Sequence, residues 1–117
     1  MITCIFGSRS IDDYDMLERV VARSGYEITC VVSGRADGVD RLGEVYALRH
    51  RVPVQLFPAN WKMYGARAGR IRNARMAEVS ECGICMWDGT SPGTRHMLDE
   101  MKKKGKPVYL YTKGDLV

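Results

Sequence analysis

The stretch Val31-Val32-Ser33-Gly34-Arg35-Ala36-Asp37-Gly38-Val39-Asp40-Arg41 decides the fold. A β-branched run ends in small residues, turns on two glycines and opens into a helical pattern. Gly34 and Gly38 allow a positive φ or a close approach of the backbone to a ligand. Asp37 is placed to cap a helix that starts near Gly38, and Asp40, three residues later, suits the positive end of its dipole. The free N–H groups of such a helix start suit an anion. Read alone, the stretch also fits a tight strand-to-helix turn of any α/β protein. Two more glycine-bearing turns set it apart: Trp87-Asp88-Gly89-Thr90-Ser91-Pro92-Gly93-Thr94, and the shorter Phe6-Gly7-Ser8-Arg9.

Outward from that turn, strands and helices alternate. Residues 2–6 read as a buried strand, and Ser10–Asp13 as a helix start followed by an apolar stripe of Met16, Leu17, Val20 and Val21 that Gly25 ends. Ile28–Ser33 is the second strand and Val39–Arg51 the second helix, with Leu42, Val45, Tyr46 and Leu48 expected inward. Pro53–Phe57 reads as a short third strand. Pro58–Gly65 is a loop whose aromatics, Trp61 and Tyr64, fit a lid, a stacking platform or plain packing. A basic helix is expected from about Ala66 to Ser80, with Ile71, Met76 and Val79 as its apolar points. Gly83–Trp87, Pro92–Lys104 and Pro107–Tyr111 complete the series as strand, helix and strand, and the tail from Thr112 to Val117 carries no signal.

This alternation predicts an α/β fold: a Rossmann-like three-layer sandwich with a parallel five-stranded sheet and helices on both faces. Right-handed crossovers then put every strand-to-helix turn at the carboxyl edge, where open sheets of this kind bind ligands. The turns after strands one, two and four converge there, which predicts a nucleotide-sized ligand. At 117 residues and 45% hydrophobic composition, residues 1–117 are expected to form one domain. The chain holds no apolar run of about 18 residues and enters a strand directly at Ile2, so no membrane span is expected and the cytoplasm is the expected compartment. Cys82-Gly-Ile-Cys85 has the spacing of half a zinc site, but no second pair follows. Cys4, Cys30, Cys82 and Cys85 are expected as buried free thiols, and the sequence implies neither a metal nor a cofactor.

The formal net charge of +4 suits phosphates without establishing nucleic-acid binding. Arginine placement says more. Arg9, Arg35, Arg41 and Arg95 lie in or beside the turns, and Arg67, Arg70, Arg72 and Arg75 on the basic helix. Ser91 reads as a helix cap with Pro92 at the first helical position, leaving Gly93 and Thr94 to offer N–H groups to a phosphate. Asp40 suits a ribose hydroxyl or the helix dipole, Asp88 a ligand or a turn cap, and Arg9 and Arg95 a phosphate. His96 is the candidate acid or base near the site.

Phe6-Gly7-Ser8-Arg9, Val32-Ser33-Gly34-x-Ala36-x-Gly38-Val39-Asp40, Arg72-Asn73 and Trp87-Asp88-Gly89-x-Ser91-x-Gly93-Thr94-Arg95-His96 together resemble the SLOG superfamily, and within it the YspA-related branch of small stand-alone proteins. The superfamily includes the LOG phosphoribohydrolases, the DNA-processing protein DprA, and sensors of nucleotide-derived signals such as ADP-ribose derivatives. The resemblance implies a nucleotide-derived ligand, such as an ADP-ribose-like or cyclic nucleotide signal, held by a sensor or sequestering protein. It implies binding roles for Gly7, Ser8, Arg9, Ser33, Gly34, Arg35, Ala36, Asp37, Gly38, Asp40, Arg72 and Asn73 on one side, and for Trp87, Asp88, Gly89, Ser91, Gly93, Thr94 and Arg95 on the other.

Two departures bear on mechanism. The LOG motif Gly-Gly-x-Gly-Thr-x-x-Glu has Met97 at its glutamate position here, and Ser91-Pro92 replaces its double glycine. Methionine neither takes a proton nor stabilises an oxocarbenium ion. Hydrolysis of a nucleoside monophosphate would therefore fall to His96, Asp88 or Glu100. DprA-like single-strand DNA binding by the arginines of residues 67–75 is a further alternative. Self-association is also expected, from LOG-like pairing and from Met97, Leu98 and Met101 as apolar positions in excess of one domain's needs.

Overall fold

The structure, a computed structural model, describes residues 1–112; the tail from 113 to 117 lies outside the described residues. Five parallel strands are ordered β3-β2-β1-β4-β5: β1 (Ile2–Gly7), β2 (Cys30–Ser33), β3 (Val54–Leu56), β4 (Cys82–Trp87) and β5 (Val108–Thr112). Between them run α1 (Tyr14–Ser24), α2 (Val39–His50), α3 (Trp61–Tyr64), α4 (Ala68–Val79) and α5 (Pro92–Lys103). Because side chains alternate across a strand, Ile5, Val31, Ile84 and Met86 meet Leu17, Val20, Leu42 and Tyr46 of α1 and α2. Cys4, Phe6, Val32 and Cys85 meet Met76, Ala77, Met97 and Met101 of α4 and α5 on the opposite face. These layers are the Rossmann-like sandwich that the alternation predicts.

Strand order reverses between β1 and β4, so the chain leaves their carboxyl ends in opposite directions and a crevice opens above them. Gly43 lets α2 approach β1 closely, since a Cβ there would sit 2.8 Å from the Cβ of Ile5. All four cysteines are free and buried, and burial pushes the Cys4, Cys82 and Cys85 thiols up. No helix among the described residues is long and apolar enough to cross a membrane.

Several local expectations need correction. The basic helix does not run from Ala66 to Ser80. Asn60 caps a separate α3 by accepting from the Met63 amide at 3.1 Å, Gly65 takes a φ of 57°, and a 3₁₀ turn, Gly65–Arg67, precedes α4. On α4 Met76 is buried, whereas Val79 is exposed and Ile71 half-buried. The buried stripe of α2 is Val39, Leu42, Gly43, Tyr46 and Ala47, which leaves Val45 exposed and Leu48 at 80% exposure. Asp37 does not cap α2: Gly38 is the N-cap residue, and the Val39 amide donates to the Ser8 carbonyl at 3.3 Å instead. Met97 and Met101 are buried in the α5 face of the core, so they are not surplus apolar surface for self-association.

Candidate functional site

Ser8 ties the three turns into one unit. Its amide donates to the Met86 carbonyl of β4 at 3.0 Å, its carbonyl accepts from Val39 of α2, and its Oγ accepts from the Asp88 amide at 2.8 Å and lies 3.2 Å from Ser91 Oγ. Gly38, at φ 78°, packs directly on this turn, where a Cβ would fall 2.4 Å from the Ser8 carbonyl oxygen. Gly7 is equally constrained, with a Cβ 2.0 Å from the Met86 oxygen. Gly34 is different: its backbone is not left-handed, but a Cβ would meet Asp40 Oδ2 at 2.8 Å and Arg72 Nη1 at 2.9 Å. The left-handed residue of this turn is Arg35, at φ 64°, steadied by its amide donating to Ser33 Oγ at 3.1 Å.

Above β1 and β4 these turns enclose a cavity of about 410 Å³. Gly7, Arg9, Ala36 and Asp40 line it from the first two turns, and Asp88, Ser91, Gly93 and Thr94 from the third. Arg72 and Asn73 of α4 close one side, with Met76 and Met97 as apolar floor. Sequence reasoning missed Phe6, Ser10, Met76, Pro92 and Met97 in this lining; only the pleat of β1 and the α4 register mark Phe6 and Met76 beforehand.

The remaining site residues sit elsewhere. Ser8, Ser33 and Gly34 are buried behind the turns, and Gly34, Arg35 and Asp37 line an adjoining hollow with Arg9, Ala36 and Arg72. Gly89 shapes its turn at φ 87°. Trp87 and Arg95 are not brought to the cavity. They line a groove between α5 and β5, where the Trp87 indole donates to the Ser91 carbonyl at 3.2 Å and Arg95 lies over its ring at 5.9 Å.

A buried polar network underlies the cavity. Asp40 is 5% exposed, and burial pushes its carboxyl up to about 6, against the opposing pull of Arg72 and of the Ala36 and Gly7 amides. Burial lowers the Arg72 guanidinium, with Asp40 opposing. Arg72 Nη1 donates to the Gly34 carbonyl at 2.6 Å and its Nε to Asn73 Oδ1 at 2.9 Å. That second bond fixes the Asn73 amide, whose Nδ2 then donates to His96 Nδ1 at 3.1 Å and to the Gly93 carbonyl at 3.4 Å. His96 Nδ1 is thus an acceptor already in use, and its Nε2 lies 3.6 Å from Glu100 Oε1.

Neither His96 nor Glu100 lines the cavity, and Glu100 faces Lys103 and Lys104 at 3.8 and 3.7 Å. Asp88 does line it, but as a turn cap: its Oδ1 accepts from the Thr90 and Ser91 amides at 2.8 and 2.9 Å, and these bonds hold the carboxyl well below its usual range. Ser91 is the N-cap residue of α5 without a capping hydrogen bond, because its Oγ donates to Asp88 instead. The Gly93 and Thr94 amides are consequently left without a protein acceptor among the described residues. A Cβ on Gly93 would meet nothing within 4 Å.

An open parallel sheet with a cleft over its switch point defines a Rossmann-like α/β protein. Comparison narrows the class. The chain belongs to the YspA, cpYpsA-related SLOG family (YAcAr), whose model matches residues 2–64, a span that holds the first two turns. It is similar to the Gene 61 protein of Mycobacterium phage D29, at 35% identity over 115 residues covering 89% of this chain and 90% of that protein. No solved structure matches the chain.

Proposed function

We propose that this protein binds a nucleotide-derived ligand in the cavity above β1 and β4, as a sensor or sequestering protein. The observation that carries the reading is the pair of unpaired amides at Gly93 and Thr94, opening into the same 410 Å³ cavity as Arg9 and Arg72. Such amides at a helix start hold a phosphate, and the arginines supply charge-assisted partners. Asp40, on the opposite wall, accepts a ribose hydroxyl. Family membership supports a nucleotide-related ligand.

Hydrolysis is the weaker reading. Met97 lines the cavity where a catalytic glutamate is wanted, Asp88 is committed to its turn, and His96 Nδ1 is committed to Asn73. Calorimetry against AMP, ADP-ribose and cyclic nucleotides tests the proposal. At least one should bind with a Kd well below about 1 mM, a free energy more favourable than about −4 kcal/mol. A panel in which none does contradicts it.

A further inference from the structure

Beside the cavity, sharing Arg9, Ala36 and Arg72 as a common wall, lies a second hollow of about 480 Å³. Arg35 and Arg41 complete a set of four guanidinium groups in its lining, and Asp37 is the one carboxylate among the lining residues. Two of the four face a carboxylate: Glu44 lies 3.3 Å from Arg35 Nε and accepts from Ser33 Oγ at 2.7 Å beneath the turn, and Asp40 faces Arg72 from the neighbouring cavity. Arg41 Nε donates to the Arg35 carbonyl at 3.2 Å, which braces the left-handed residue and leaves the Arg41 terminal nitrogens without an acceptor among the described residues. Arg9 likewise has neither an ion pair nor a side-chain hydrogen bond among the described residues, and it stands on the wall between the two hollows. Trp61, 55% exposed, offers an aromatic face at the far rim.

Like charges gathered in one concavity repel one another, and an anion relieves that repulsion while gaining bidentate hydrogen bonds. One phosphate on the Gly93 and Thr94 amides leaves the arginine hollow unfilled, because Arg9 and Ala36 separate the two. We infer that the ligand carries two anionic phosphoryl groups, one at the start of α5 and one in the hollow of Arg9, Arg35, Arg41 and Arg72. The ligand class is therefore a nucleotide with two phosphoryl groups, as a diphosphate or a bisphosphate, rather than a monophosphate. This rests on the binding reading above and specifies it.

Calorimetry with AMP, ADP and adenosine 3′,5′-bisphosphate tests it on the full chain. At least one doubly phosphorylated nucleotide should bind about tenfold or more tightly than AMP. Arg41→Gln should cut that ratio to below about threefold, while Arg19→Gln, the same charge change on exposed α1, should preserve it. Gly93→Val should weaken all three ligands. A wild-type ratio under threefold, or a ratio that Arg41→Gln and Arg19→Gln alter equally, overturns the second phosphoryl site while leaving the binding reading intact. Absence of binding by all three nucleotides, with the wider panel also silent, removes the binding reading and this inference with it.

Discussion

The two faces of the sheet are built from different materials. On the α1 and α2 side the core is mostly branched aliphatic, Ile5, Leu17, Val20, Val31, Val39, Leu42 and Ile84, with Tyr46 and Met86 among them and no charged residue in the cluster. On the α4 and α5 side Phe6 and Val32 are outnumbered by Cys4, Cys85, Met76, Met97, Met101 and Ala77, soft and small groups. That second side also carries Arg72, Asn73 and Thr94, and the cavity opens toward it. The first face holds the sheet together; the second spends part of its packing on holding polar groups in place. Asp40 makes the division visible. It sits on α2, yet its carboxylate reaches over the second turn into the cavity lining beside Arg72.

If the division is real, damage to each face should have a different signature. Leu17→Ala empties a fully buried site on the structural face and should cost about 2–5 kcal/mol of stability in denaturant titration, while the folded protein keeps its affinity for ligand. Gly93→Val should do the reverse. Nothing lies within 4 Å of the new Cβ, so folding should change by about 1 kcal/mol or less. Ligand affinity should fall by about 2–4 kcal/mol in calorimetry as access to two amides is blocked. A Gly93→Val protein that unfolds, or that binds normally, breaks the comparison.

A subtler consequence concerns pH. The Asp40 carboxyl rises from 3.8 to about 6 on folding, so the folded state holds its proton more tightly than the unfolded one. The burial penalty is absent below pH 3.8, grows across that window and is complete above about 6. Relative to Asp40→Asn, the wild type should therefore lose up to about 3 kcal/mol of stability between pH 3 and pH 7, measured by denaturant titration at each pH. A difference that stays flat with pH contradicts the burial of this charge. At the far end of the scale, Leu48→Ser should change stability by about 0.5 kcal/mol or less, because the side chain is 80% exposed, although its sequence pattern marks it as core.

That last case shows where the sequence is readable and where it is not. The alternation of strands and helices is written in period-two and period-3.6 patterns, and the convergence of the turns follows from parallel topology alone. Leu48 is misread because α2 has a narrow buried stripe completed by Gly43 and Ala47, residues too small to register as core in a pattern of large side chains. Asp37 is misread because its turn is closed by the Ser8 carbonyl, a partner some thirty residues away that no local rule supplies. The glycines of the site were legible as turn residues, but not the reason each is glycine: Gly38 for its backbone and its contact with Ser8, Gly34 for the space that Asp40 and Arg72 occupy. Trp87 and Arg95 share a turn with Asp88 and Gly93 in sequence, yet point into the β5 groove, since neighbours in a turn need not share a side. Arg41 and Trp61 come to one hollow only through the tertiary fold, which spacing along the chain does not encode.

The most direct test of the account is a backbone-amide NMR titration with the tightest-binding nucleotide of the calorimetric panel. The largest shifts should fall on Gly93 and Thr94 at the start of α5, followed by Arg9 and Ala36, while Arg19, Leu48 and the amides of β3 stay put. Largest shifts on β3 or on the β5 groove around Arg95 and Leu98, with Gly93 and Thr94 unmoved, would contradict a ligand held above β1 and β4.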